Sequence, residues 1–143
     1  MPIKFHFQKM TTLANRRAIR NFIPRILKKE AKAAGNIEII FCDDDYLLEV
    51  NKKFLNHNYF TDIITFDLSE KSDSVVNAEI YISADMVRYN AQKFNTRLQE
   101  EFERVIFHGI LHLCGYKDKS RHDAAVMRAK ENEYLDMFHV EQN

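Results

Sequence analysis

Two of the three glycines in this 143-residue chain, Gly109 and Gly115, lie in one segment: Phe107-His108-Gly109-Ile110-Leu111-His112-Leu113-Cys114-Gly115-Tyr116-Lys117-Asp118. Glycine costs a helix interior about 1 kcal/mol relative to alanine, so Gly109 marks a point where something approaches the backbone closely. Gly115 is free to take a left-handed conformation, which would end the helix and turn the chain back. His108 and His112 are four apart and project one turn apart from the same face, the geometry that two ligands of one tetrahedral metal require. A bare H-x-x-x-H pair is as often two ordinary histidines. The helix-ending glycine, with Asp118 beyond it as a hard oxygen donor, moves the balance toward a metal site. His122 competes as third ligand, but it sits beyond Ser120, a helix-cap residue, and needs a longer return. Cys114, two residues from His112, points to another side of the helix and reads as packing.

Around this segment the hydrophobic period alternates between two and about three and a half. Ile3, Phe5 and Phe7 alternate with Lys4 and His6 as in a half-buried strand. Apolar residues at Ile19, Phe22, Ile23, Ile26 and Leu27 predict a first helix from about Leu13 to Ala34, stopped by Gly35 and kinked or broken at Pro24. Ile37 to Cys42 reads as a second strand, and Asp43 to Asp45 as the cap and first turn of a helix holding Tyr46, Leu47, Val50 and Phe54. Ile63 to Phe66 and Val75 to Ile82 are further strands, separated by the polar stretch Ser69 to Asp73. Ser83 caps a helix to about Asn95, another runs from about Leu98 to Cys114, and a last one from Ser120 or Arg121 to about Phe138.

Composition excludes several classes. Hydrophobic residues are 45% and charged residues 29%, with few glycines and prolines, so the chain is neither disordered nor low in complexity. No apolar run is long enough for a membrane helix, and the start lacks the apolar stretch of a secretory signal, so the expectation is a cytoplasmic protein. The two cysteines, Cys42 and Cys114, form no closely spaced framework. Charge balances overall, yet residues 1–34 hold nine basic side chains against the single acid Glu30. That asymmetry suits a polyanion partner contacted by Arg16, Arg17 and Arg20, or equally a solvated helix face.

The run from His108 to Tyr116 resembles the signature H-G-x-L-H-L-x-G-Y-D-H of the YbeY family of metal-dependent endoribonucleases, the ribosomal RNA maturation factors. Thr61-Asp62-Ile63-Ile64-Thr65-Phe66 is similar to that family's T-D-V-L-S-F block, and Ala78 to Ser83 to its G-D-I-x-I-S strand; Asn51 and Glu101 also match. The resemblance implies a zincin-like α+β fold, with a four-stranded mixed sheet packed by about five helices, and a single domain over residues 1–143. It implies one zinc ion per chain held by three side chains. The implied activity is cleavage of single-stranded RNA in maturation of the 16S ribosomal RNA 3′ end and in ribosome quality control, with small-subunit proteins as further partners. Three positions depart from the pattern. Asp118 replaces the third histidine, with Lys117 where the family has Asp; Leu55 replaces an arginine six residues before the T-D pair; Glu79 replaces Asp.

Three protein ligands leave a fourth position for water, which suits hydrolysis of a phosphodiester. Zinc peptidases of similar architecture carry H-E-x-x-H, whose glutamate is the base; Gly109 occupies that position, so a peptidase ranks second. The proton carrier is the metal hydroxide, Glu101, Arg104 or His122, although Arg104 equally suits a structural pair with Glu101. Thr61 and Asp62 either line the cleft or serve a turn. Tyr59, Phe60 and Tyr116 either stack on unpaired bases or belong to the core. A third reading is a non-catalytic module that binds ribosomal RNA or a ribosomal protein through helix one around a structural metal. Such a metal is normally closed by four protein ligands, and substitution of His112 would then leave RNA affinity intact.

Overall fold

The computed structural model describes residues 3–70 and 74–142; Lys71 to Asp73, the end of the polar stretch after the third strand, lie outside them. Strand β1 (Ile3–Phe7) leads into helix α1 (Arg16–Lys29), β2 (Ala33–Cys42), α2 (Asp44–Leu55), β3 (Ile63–Asp67), β4 (Val75–Ser83), α3 (Ala84–Lys93), α4 (Leu98–Leu113) and α5 (Arg121–Gln142). The sheet has the order β1-β2-β4-β3; β1, β2 and β4 are parallel, and β3 is an antiparallel edge strand beside β4. The α+β class, the four strands and the five helices follow the sequence pattern.

Alternation along the strands decides what covers each face. Ile37, Ile39 and Phe41 of β2, with Ala78, Ile80 and Ile82 of β4, join the buried residues of α1, α4 and α5 in one large core. The opposite face is covered at one end by α2, where Cys42, Leu47, Val50 and Ile64 form a smaller cluster. Asp43 caps α2 by accepting from Tyr46 N, and Ser83 caps α3 by accepting from Met86 N.

Helix one is shorter than its apolar pattern. Asn15 at φ 58° sets its start and Ala31 at φ 63° follows its end, so Leu13, although buried, and Ala34 fall outside it. The helix runs unbroken through Pro24. Gly35 is not its stop but part of β2, at a register irregularity between Ala34 and Ile37. A Cβ there would lie 2.4 Å from Asn77 Oδ1 and 2.9 Å from the Val76 carbonyl, so only glycine fits. Among the described residues, no helix is long and apolar enough to cross a membrane.

Candidate metal centre

Helix α4 is placed by its buried face: Phe102, Val105, Ile106, Phe107, Ile110 and Leu111 all enter the core. Gly109 lies where α4 meets the sheet, and a Cβ on it would be 2.9 Å from Ile63 Cδ1 and 3.4 Å from two atoms of Ile80. The close approach expected at Gly109 is therefore that of β3 and β4. His108 and His112 emerge half-buried on the flank of α4 beside Gly109, next to the Ile63 end of β3, their rings edge-on with centroids 4.6 Å apart. Gly115 at φ 103° ends the helix, with Gly115 N donating to His112 O and Tyr116 N to Leu111 O. The returning chain brings Asp118 Oδ2 to 3.1 Å from His108 Nε2 and 3.3 Å from His112 Nε2.

These three side chains offer ligand atoms within 4.8 Å of one another, the one such group of His, Cys, Asp and Glu among the described residues. His122 is exposed on the first turn of α5 and stands outside it. Cys114 packs half-buried against the main core, and burial, with the nearby Glu30 charge, pushes its thiol up to about 12.

Glu131 of α5 holds the cluster from behind. One of its oxygens accepts from His108 Nδ1 at 2.6 Å and the other from Arg104 at 3.0 Å, while Arg104 also donates to Asn132. Arg104 thus pairs across helices rather than with Glu101. Burial disfavours a charged His108 ring, but the Glu131 hydrogen bond and the charges of Glu131, Asp118 and Asp62 outweigh it and raise its pKa. Burial raises the pKa of Asp62, against the His108 charge and backbone hydrogen bonds. Glu131 was not singled out from the sequence. Its position between Met127 and Leu135, on the stripe that buries Tyr134 and Phe138, is the signal that marks it.

The cluster lies in a groove open on two sides. One half, of about 480 Å³, runs past Asn51, Leu55, His57, Tyr59, Thr61 and Lys119; the other, of about 610 Å³, runs past Phe94, Glu101, Arg104 and Arg128. Asp62, His108 and Asp118 border both halves. Arg16, Arg17 and Arg20 of α1 line neither half. Arg16 lies 4.0 Å from the Phe7 ring centroid and donates to the Leu13 and Thr11 carbonyls; Arg20 lies over Phe5.

Residues 4–139 match the family model described as endoribonuclease YbeY. The chain is 44% identical over 140 residues to the endoribonuclease YbeY of Flavobacterium johnsoniae, covering 98% of this chain and 99% of that one. It is 50% identical over 123 residues to the endoribonuclease YbeY of Porphyromonas gingivalis, covering 86% and 80% respectively. Among solved structures, that of TM1509 from Thermotoga maritima superposes with a TM-score of 0.64 at 26% identity, covering 97% of this chain and 91% of that one.

Proposed function

This chain belongs to the endoribonuclease YbeY family, and from that premise we propose that it hydrolyses phosphodiester bonds of single-stranded ribosomal RNA at the His108–His112–Asp118 cluster, with a zinc ion. The observation that carries this reading is the convergence of His108 Nε2 and His112 Nε2 on one oxygen of Asp118, in a groove that continues on either side. Two imidazoles and a carboxylate are a donor set that zinc accepts, and no fourth Cys, His or acid joins them among the described residues. Bound there, the ion supplies Lewis-acid activation of water and neutralises developing phosphoryl charge. His108, His112 and Asp118 would hold it. Glu131 accepts from His108 Nδ1, which leaves Nε2 with its lone pair facing the centre. Arg104 fixes Glu131 and so acts as a positioning residue, and Glu101 remains in the groove wall as a candidate proton carrier. A peptidase would need a carboxylate base where Gly109 stands wedged against Ile63.

The test combines metal content with cleavage. Elemental mass spectrometry of protein purified without chelator should find near-stoichiometric zinc in the wild type and in His122→Ala, and none in Asp118→Ala. Single-stranded ribosomal RNA should be cut by the wild type and left intact by His112→Ala. No bound metal after zinc is supplied, or cleavage undiminished in His112→Ala, would overturn the reading.

A further inference from the structure

The groove wall between α2 and β3 holds an aromatic pair in an unusual setting. The His57 and Tyr59 rings stack at 5.1 Å with an interplanar angle of 19°, and Tyr59 Oη and His57 Nδ1 are hydrogen-bonded at 2.9 Å. The loop that carries them is tied down twice by one buried residue of α2. Asn51 Nδ2 donates to the Tyr59 carbonyl at 2.9 Å, and the Asn51 carbonyl accepts from His57 N at 3.1 Å. Nevertheless 56% of Tyr59 is exposed, in the same half of the groove as His108, His112 and Asp118. Phe60, its equally exposed neighbour, does not line that groove.

We infer that Tyr59, backed by His57, is a stacking platform for an unpaired RNA base next to the phosphodiester to be cut, an inference that rests on the reading of the groove as an RNA site. A flat ring with one face against a second ring and more than half its surface in water is completed by another flat ring. The surrounding Asn51, Thr61 and Asp62 are polar, which disfavours an aliphatic partner, and Lys119 on the same wall supplies a cation for the backbone. The hydrogen bond to His57 and the anchor through Asn51 fix the ring beforehand, so little rotamer freedom is lost on binding. Bases in a duplex have both faces occupied, so the platform selects single strands. Because every base has a π face, it is tolerant of sequence.

The experiment uses the zinc-loaded full chain and a short fluorescein-labelled oligoadenylate RNA, read in the first moments after mixing, before cleavage. Tyr59→Ala should weaken binding by between about fivefold and about a hundredfold, whereas Tyr59→Phe should keep most of it. The loss should shrink when the same RNA carries abasic sites. The chain has no tryptophan, so Tyr59→Trp introduces a single reporter. Its emission should be quenched by oligoadenylate but not by the abasic RNA or by a blunt duplex. Equal affinity of a folded Tyr59→Ala and the wild type, or a Tyr59→Trp signal indifferent to the RNA bases, would overturn the platform. If His112→Ala still abolishes cleavage in that case, the nuclease reading stands without it. A wild type that neither binds nor cuts single-stranded RNA removes both.

Discussion

His108 Nδ1 lies 2.6 Å from a carboxylate oxygen of Glu131, so the ring that faces His112 and Asp118 is aimed by a residue on a different helix. The pair joins α4 to α5 at the centre of the site, and Arg104 closes it from the other oxygen. Burial favours a protonated Glu131, but the bonds from His108 and Arg104 outweigh it and hold its carboxyl below the ordinary value. Near neutral pH the group is an acceptor, which fixes the proton of a neutral His108 on Nδ1.

Glu131→Gln removes that control while keeping the shape. Partners of metal-binding histidines typically contribute 10–100-fold in affinity, so the zinc affinity of Glu131→Gln should fall by roughly that factor. Competition against a chromophoric chelator measures it, with the surface change Glu133→Gln as control. An unchanged affinity would mean that packing alone orients His108.

Two glycines predict different outcomes for the same substitution. Gly35→Ala drives a Cβ against Asn77 Oδ1 and the backbone carbonyl of Val76, neither of which yields without breaking sheet contacts, so it should cost about 1–3 kcal/mol. Gly109→Ala meets the tip of the Ile63 side chain, which is half-buried and movable, while the helix gains about 1 kcal/mol in propensity. Thermal melting should therefore leave Gly109→Ala within about 1 kcal/mol of the wild type. A Gly109→Ala protein as damaged as Gly35→Ala would show that the contact of α4 with β3 is rigid.

Local chemistry was legible wherever one helix or turn contains the whole device. The i, i+4 histidines, the left-handed Gly115, and the caps Asp43 and Ser83 all belong to short stretches whose physics is sequential. Devices that join distant elements were not. The Glu131–His108 bond spans two helices, the Gly35 bulge depends on Asn77 across the sheet, and the His57–Tyr59 stack is held by Asn51 on α2. The basic side chains of α1 also differ in ways that only the fold shows. A charge count treats them as equivalent, yet Arg25 pairs with Glu141, Lys29 with Glu133, and Arg16 packs on Phe7.

Acid should loosen the junction of α1 with α4 and α5. Glu30, at the end of α1, accepts hydrogen bonds from Tyr116 and Tyr134 and pairs with Lys130. Burial raises its pKa, but these partners outweigh burial, so the folded value lies below the ordinary 4.5. A lowered carboxylate pKa means the folded state binds fewer protons. The contribution is full above about 4.5 and is lost as pH falls through the lower folded value. Denaturant titrations should find Glu30→Gln less stable than the wild type by about 1 kcal/mol at pH 7, with the gap narrowing below pH about 4.5. A gap that stays constant with pH would assign the effect to packing.

Leu55, 40% exposed at the end of α2, lines the groove beside Tyr59, at the position where the resemblance noted in the sequence implies an arginine. On the proposed function, an apolar residue there leaves the groove wall with one cation fewer for the RNA backbone. Leu55→Arg adds it back at a surface position, so stability should change by less than about 0.5 kcal/mol. Single-stranded RNA should bind more tightly, and the plot of log affinity against log salt should steepen by about 0.7, the increment for one further phosphate neutralised. Cleavage measured below saturation should rise with affinity, while the rate at saturation should stay constant if the new guanidinium only holds the strand. A rise in the saturated rate would place position 55 against the phosphodiester that reacts, and an unchanged salt slope would place the RNA backbone along the other half of the groove, past Arg128.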